Sequence, residues 1–304
     1  MSAPRTILIV GPTAGGKTDL GVELALRLSG EVVTADAFQI YRGMDIGTAK
    51  PTPEERRGVP HHLLDIVDPP DSFTVHQWLT LAKRAIGDIA SRGRVPIVVG
   101  GTNLYVKSLL DGLFEGPAPD EALRQQLRAM PPEARREELE RVDPGAARRI
   151  HANDERRTIR ALEVFRQTGR PISEHQTQWD APGDDGSRLL VGLDWPIETI
   201  NRRINARVRS MIERGLVDEV RALSARLGAQ AREALGYKQI LAHIEGRMSL
   251  ADAVEKIKIE TRRFAKNQRT WLKRLRLTPG SLWIDAGVTP REQWGDLIEE
   301  AWRK

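Results

Sequence analysis

Cysteine is absent from the 304-residue chain. That excludes a disulfide scaffold, a zinc–thiolate site and thiol catalysis, and makes a reducing cytoplasm the expected compartment. Nowhere do apolar residues run for the roughly 18 positions a membrane helix needs, so no membrane partner is expected. The chain also lacks internal repeats and long low-complexity tracts. Charged residues make up 29% and hydrophobic residues 40%, a balance that excludes global disorder and supplies a real core. The opening MSAPRTILIVG carries one Arg before a short apolar run ending in a glycine turn. It is too short for a signal peptide, has no small-residue cleavage site, and reads as a buried strand.

What is present is unevenly placed. Net charge is only +5, but residues 255–276 hold nine Lys or Arg against two Glu. Such a local excess points to a polyanion, either a phosphate-rich substrate or nucleic acid. Five of the seven Trp lie after position 190. Trp271 sits inside the basic stretch KNQRTWLKR, where an aromatic ring can hold a single-stranded base. A solvated helix with one Trp docked into the core fits the same residues.

Strand and helix signals alternate from the start. Thr6 to Val10 reads as a strand, followed by a Gly-rich turn and a helix from Lys17 with Leu20, Leu24 and Leu28 at four-residue spacing. Strands follow at Glu31 to Ala35 and Val95 to Val99, the latter preceded by a helix over Val75 to Ala90. The alternation implies an α/β fold, a parallel sheet with flanking helices. From Asp120 to about Gln178 the chain reads as polar helix broken at Pro131-Pro132, Pro144 and Pro171, with no strand. A turn over Ala181 to Gly186 then leads to a strand over Leu189 to Trp195. Residues 1–118 are thus the first part of a P-loop core and 119–186 a helical insertion. Residues 187–304 continue the core, mainly as helix, with a last strand in Ser281 to Gly287.

The strongest motif is GPTAGGKT: Gly11, Pro12, Thr13, Ala14, Gly15, Gly16, Lys17 and Thr18. It follows a strand and opens a helix, the context of a phosphate-binding loop. Backbone amides and the helix N-terminus favour an anion, Lys17 neutralises a terminal phosphate, and Thr18 offers a hydroxyl to Mg2+. Nucleotide hydrolases usually place a Mg2+-holding Asp at the end of a neighbouring apolar strand. Here VPIVV ends in Gly-Gly-Thr, with Asp65 and Asp68 the remaining candidates, so group transfer is favoured over a motor or switch. Asp36 ends the second strand, expected beside the phosphate-loop strand. A carboxylate on that edge can accept a proton from a nucleophile, although a turn aspartate would look the same. Thr102 reaches the same edge and can hydrogen-bond the nucleophile, or simply cap the helix near Leu104.

Seven blocks then occur in one order: GPTAGGKT, DAFQIYRGMDIGTAKP, PHHLLDIVDP, GGTNLYVKSLLDGL, NDERRTIRALEVFRQTGRPISE, LGYKQ and TRRFAKNQRTWLKR. Together, from about Thr6 to about Arg274, they resemble the bacterial tRNA dimethylallyltransferases, also called tRNA isopentenyltransferases. The blocks 41–51 and 261–274 are the family-specific ones. The resemblance implies transfer of a dimethylallyl group from dimethylallyl diphosphate to the exocyclic amine of the adenosine just 3′ of the anticodon. It also implies a P-loop core with a helical insertion that closes on the tRNA anticodon stem-loop. Mg2+ is the implied cofactor and a monomer the default state. By family position Asp36 takes the amine proton, Thr102 orients the base, and Lys17 and Arg207 face the diphosphate. Positions matching RNA contacts are Asp36, Ala37, Phe38, Gln39, Thr102, Arg124, Arg156, Arg157, Thr158, Ile159 and Arg160. They continue with Glu233, Ala234, Leu235, Gly236, Tyr237 and Lys238. The last group is Lys266, Asn267, Gln268, Arg269, Thr270, Trp271, Leu272 and Lys273.

Three positions depart from the pattern: Gly15 and Ala37 stand where Ser is common, and Asn103 where Gly often occurs. None removes Lys17, Thr18, Asp36 or Thr102, so altered affinity rather than lost activity is expected. The rival readings are a P-loop small-molecule kinase, a prenyltransferase of free adenine nucleotides, and a non-catalytic tRNA-binding protein. The insertion and the basic segment weigh against the first two, and the intact polar residues against the third.

Overall fold

A computed structural model describes residues 4–114, 116–175 and 187–304. The turn expected over Ala181 to Gly186, and the end of the helical stretch near Gln178, lie outside the described residues. The strands are β1 (Thr6–Val10), β2 (Gly30–Ala35), β3 (His61–His62), β4 (Val95–Gly100), β5 (Arg188–Asp194) and β6 (Leu282–Asp285). The first helices are α1 (Lys17–Arg27), α2 (Pro53–Arg56), α3 (Val75–Ser91) and α4 (Asn103–Asp111). Five more run as α5 (Glu121–Ala129), α6 (Pro132–Val142), α7 (Pro144–Arg149), α8 (Glu155–Thr168) and α9 (Ile172–His175). The last are α10 (Ile197–Glu213), α11 (Leu216–Leu223), α12 (Tyr237–Ile244), α13 (Leu250–Leu275) and α14 (Trp294–Arg303). No helix among the described residues is long and apolar enough to cross a membrane.

Contacts divide the chain into two compact units, residues 1–110 with 184–304, and residues 111–183. The first boundary falls where α4 ends, earlier than position 119.

In the larger unit the six strands form one parallel sheet in the order β3-β2-β4-β1-β5-β6. All five residues of β1 are buried, as a strand covered on both faces requires. Burial of Ile7, Leu8, Ile9 and Val10 contributes roughly 1.5–3 kcal/mol per side chain and fixes the strand from which the phosphate loop springs. The order corrects one expectation: β2 is not beside β1, because β4 lies between them, pairing Ile7 with Ile97 on one side and Val32 with Ile97 on the other. The fit at β4 is close. A Cβ on Gly100 would stand 2.1 Å from the Ala35 carbonyl oxygen, so only glycine lets the two strand ends approach this nearly. The short β3 was not expected, since two residues carry no readable alternation.

The smaller unit has its own core of Leu127, Leu139, Ala146, Ala147, Ile159, Leu162 and Val164. At its centre Glu163 is fully buried. Burial alone would raise its pKa, but hydrogen bonds from Arg124 and Arg160 outweigh that and lower it. The Asp120 amide also donates to this carboxylate at 2.8 Å.

Candidate active site

The carboxyl ends of β1, β2 and β4 open into one cleft of about 1270 Å³, whose walls include α10 and α13. That is more than the roughly 300–1,000 Å³ of a single small-ligand pocket, leaving room for two reactants. Lys17, Thr18, Asp36, Thr102 and Arg207 all line it.

The phosphate loop reaches its shape locally. Gly16 takes φ of 83° as the N-cap of α1 and offers no side-chain cap, and the first-turn amides of α1 have no acceptor among the described residues. An anion is the natural partner for them. Not every loop amide is available. The Thr13 amide donates to Gln268 Oε1 at 2.8 Å, and the Gly15 amide to the Pro12 carbonyl at 3.1 Å. Within the expected cradle the Thr13 amide thus serves Gln268 and the Gly15 amide the loop itself, whereas the amides of Ala14, Gly16, Lys17 and Thr18 make no bond among the described residues.

Cations converge on the loop. Lys17 Nζ donates to the Pro12 carbonyl at 2.9 Å. Burial, with Arg207 nearby, pushes its pKa down to about 8, against the opposing pull of Asp36. Arg207 Nη1 reaches the Thr13 hydroxyl at 3.4 Å. One turn earlier on α10, Arg203 Nε donates to the Ala14 carbonyl at 2.6 Å and lies 4.9 Å from the Trp195 ring centroid. Trp195 Nε1 in turn donates to the Gly15 carbonyl at 3.1 Å. The sequence marks neither Arg203 nor Trp195, the latter read only as a strand end, as a residue of the site. The four-residue spacing from Arg203 to Arg207 is the signal that could have found the first; nothing local marks the second.

Asp36 fills the turn role that its sequence position allows and keeps one carboxylate oxygen outside it. Its Oδ1 accepts the amides of Phe38 and Gln39 at 2.9 and 3.2 Å, the geometry of a turn aspartate. No bond engages Oδ2 among the described residues, and the carboxylate lies near enough to Lys17 and Arg207 to influence both. Thr102 Oγ1 accepts the Ala37 amide at 3.0 Å, and its hydroxyl donates to no partner among the described residues.

The positions expected at RNA divide by burial. In the larger unit Glu233 and Lys238 are exposed and, with Ala234 and Leu235, line the cleft. Gly236 and Tyr237 are buried, so the Tyr237 side chain is not a surface contact. On α13, Lys266, Asn267, Thr270 and Lys273 are exposed, Arg269 is half-buried, and half-buried Trp271 lines the cleft rather than the core. Leu272 is a core residue. Gln268 is 2% exposed and bridges the Thr13 amide to the Gly101 carbonyl, the latter at 2.9 Å. In the smaller unit Arg156 and Arg157 are exposed, Thr158 and Ile159 are buried, and Arg124 and Arg160 are committed to Glu163. The helical repeat could have separated these classes: Ala265, Gln268, Leu272 and Leu275 recur at three- and four-residue steps on the buried face of α13.

Among the described residues no cluster of three acidic or histidine side chains could hold a metal. The Thr18 hydroxyl beside an anion-binding loop suits Mg2+ all the same, because that ion commonly takes most of its ligands from substrate phosphates and water.

Comparison with known proteins agrees with this geometry. Residues 39–275 match the family described as IPP transferase, and residues 4–66 match isopentenyl transferase. A tRNA dimethylallyltransferase of Geobacillus thermodenitrificans is 44% identical, with 98% of this chain and 95% of the relative covered. One from Anaeromyxobacter dehalogenans is 46% identical over 94% and 96%. The crystal structure of tRNA isopentenylpyrophosphate transferase from Bacillus halodurans superposes with a TM-score of 0.71 at 39% identity, covering 99% of this chain and 97% of that one. A eukaryotic dimethylallyltransferase captured acting on tRNA gives 0.81 at 28% identity, over 98% and 77%. A parallel α/β core, a phosphate loop facing Asp36 and Thr102, and near full-length identity of this order place the chain in the bacterial tRNA dimethylallyltransferase family.

Proposed function

We infer that this cleft transfers a dimethylallyl group from dimethylallyl diphosphate to the exocyclic amine of an adenosine in tRNA, the nucleoside 3′-adjacent to the anticodon. The observation that carries the reading is the meeting of a phosphate loop and two cations with Asp36 Oδ2 in one cleft wide enough for two reactants.

An adenine amine is a weak nucleophile, because its lone pair is delocalised into the ring. The allylic carbon compensates by carrying positive charge as the diphosphate leaves. Catalysis therefore rests on stabilising the leaving group's charge. Lys17 and Arg207 supply two cations, and the amides of Gly16, Lys17 and Thr18 supply donors. Mg2+ held by Thr18 would add charge neutralisation at the diphosphate. Val208, Met211 and Ile257 give the same cleft an apolar wall for the five-carbon chain. Asp36 Oδ2 accepts the amine proton as the new C–N bond forms. The Thr102 hydroxyl donates to the base and fixes its approach. A stacked base would hide the amine, so the adenosine enters the cleft flipped out. Glu233, Lys238, Lys266, Asn267, Trp271 and Lys273, at or near its rim, are the residues we assign to the RNA. Arg156 and Arg157 of the smaller unit join them by family position.

The test is a paired transfer assay with Mg2+ and labelled dimethylallyl diphosphate, offering unmodified tRNA or AMP, with terminally labelled ATP run in parallel. Prenyl label in tRNA alone is the expected result. Label in AMP would make the protein a free-nucleotide prenyltransferase, and phosphate label in a small acceptor would make it a kinase. Binding of tRNA without transfer would refute an enzymatic role.

A further inference from the structure

Glu219 carries no motif and is not among the residues that line the cleft, yet its carboxylate is one of the most heavily used in the larger unit. Oε2 accepts the amides of Asp45 and Ile46 at 3.0 and 2.7 Å. Oε1 accepts the Gly47 amide at 3.0 Å and the Tyr237 hydroxyl. Three successive amides converging on one side chain need an acceptor with two oxygens and several lone pairs, which a carboxylate supplies and a neutral amide does not. Burial, reinforced by Glu219 itself, raises the Tyr237 pKa far above neutrality, so that hydroxyl remains a donor. The packing is as close as the bonding. A Cβ on Gly47 would come within 2.4 Å of the Tyr237 ring.

The segment so held is a wall of the cleft: Gly47, Thr48 and Ala49 line it. It also leads to Asp36. Gln39 Nε2 donates to the carbonyls of Thr48 and Ala49 at 3.2 and 3.1 Å, and the Gln39 amide donates to Asp36 Oδ1 at 3.2 Å. We propose that Glu219 is a positioning residue for the acceptor half of the reaction, fixing the 45–49 segment and, through Gln39, the orientation of Asp36. Among the described residues no hydrogen bond of this relay reaches the phosphate loop, so the acceptor half bears most of its effect. The proposal rests on the transfer reaction inferred above and on Asp36 as the proton acceptor.

In Glu219→Gln one of the two acceptor positions becomes an NH2 that faces N–H or O–H donors. The segment loses its anchor while the volume is kept. A small displacement of a reacting group costs up to about 100-fold in rate, so transfer to tRNA at saturating donor should fall between about 10- and 100-fold. The dissociation constant for dimethylallyl diphosphate should stay within about twofold, since differences that small fall below one lost hydrogen bond. Gln39→Leu cuts the relay at its far end, leaves every Glu219 bond in place, and should slow transfer similarly. The double variant should then be no slower than the worse single one, because residues acting in series are not additive. Hydrogen exchange at the Asp45, Ile46 and Gly47 amides should quicken in Glu219→Gln and not in Gln39→Leu.

Additive losses in the double variant would overturn the relay. So would donor affinity falling in step with transfer, or undiminished transfer by Glu219→Gln. If the wild-type protein transferred nothing to tRNA, the functional reading would fail first and take this role with it. Wild-type transfer with an inert Glu219→Gln change would sink this proposal alone.

Discussion

Replacing Gln268 with Leu separates two roles that its position on a basic helix, one we assign to the RNA, confounds. The side chain is 2% exposed, with its oxygen on the Thr13 amide and its nitrogen on the Gly101 carbonyl. Leucine keeps most of the volume and offers neither bond, so one backbone donor and one acceptor lose their partners. Each costs about 1–3 kcal/mol if left dry. Thr13 and Gly101 are only half-buried, and water can reach them in part, so the lower end applies to both, giving about 2 kcal/mol in all. The loss falls on the two loops that shape the anion site. Affinity for dimethylallyl diphosphate should therefore drop about 30-fold, at 1.4 kcal/mol per decade. Titration calorimetry with the donor measures this directly, and a parallel thermal melt separates it from global destabilisation. A donor affinity within twofold of wild type, alongside weakened tRNA binding, would refute the buttress and return Gln268 to RNA recognition.

Asp36→Asn should lower the rate of the chemical step by about 10²–10⁴-fold and leave donor affinity near wild type; single-turnover transfer at wild-type speed would remove Asp36 as the base. Lys17 must be protonated to hold diphosphate, and its pKa in the free protein is about 8. Bound diphosphate raises that value, so Lys17 contributes full donor affinity below pH about 8 and loses it as pH rises through the bound pKa. Donor affinity flat from pH 7 to 9.5 would contradict this. At Gly15 a Cβ would lie 2.8 Å from the Pro12 carbonyl oxygen and 3.2 Å from Trp195 Nε1. Gly15→Ser should thus weaken donor binding by about 1–3 kcal/mol rather than supply a useful hydroxyl, and tighter binding would show the loop yields. Finally, Lys266→Ala with Lys273→Ala should reduce the slope of log affinity for tRNA against log salt by up to about 1.4, near 0.7 for each single-strand phosphate that a lysine neutralises. An unchanged slope measured by filter binding would place recognition elsewhere.

Family position and burial give different accounts of several residues. Tyr237, Leu272 and Gln268 sit in blocks that resemble RNA-contacting segments, but their side chains are buried and hold other parts of the fold. Composition could not reveal this, because a helix that is basic on one face and packed on the other has the same residues whichever face binds. The phase of its apolar repeat does reveal it, through Ala265, Gln268, Leu272 and Leu275. Arg124 and Arg160 make the same point through charge. Each reads as a free cation until the partner, Glu163, is found 39 and 3 residues away.

The sequence alone determined the local chemistry. A glycine forced to positive φ before a helix, followed by Lys17 and Thr18, makes an anion site from eight contiguous residues, and contiguity is what a sequence displays. It also determined the strand–helix alternation, hence a parallel sheet, because burial on both faces leaves continuous apolar runs. Only the tertiary structure decided where the acceptor groups stand. Inserting β4 between β1 and β2 is a long-range choice with no periodic trace, and it brings Thr102 to the Ala37 amide 65 residues back. Gln268 reaching Thr13 across 255 positions, and Glu219 reaching Gly47 across 172, are of the same kind. Each is a hydrogen bond fixed by packing that neither partner's neighbours encode.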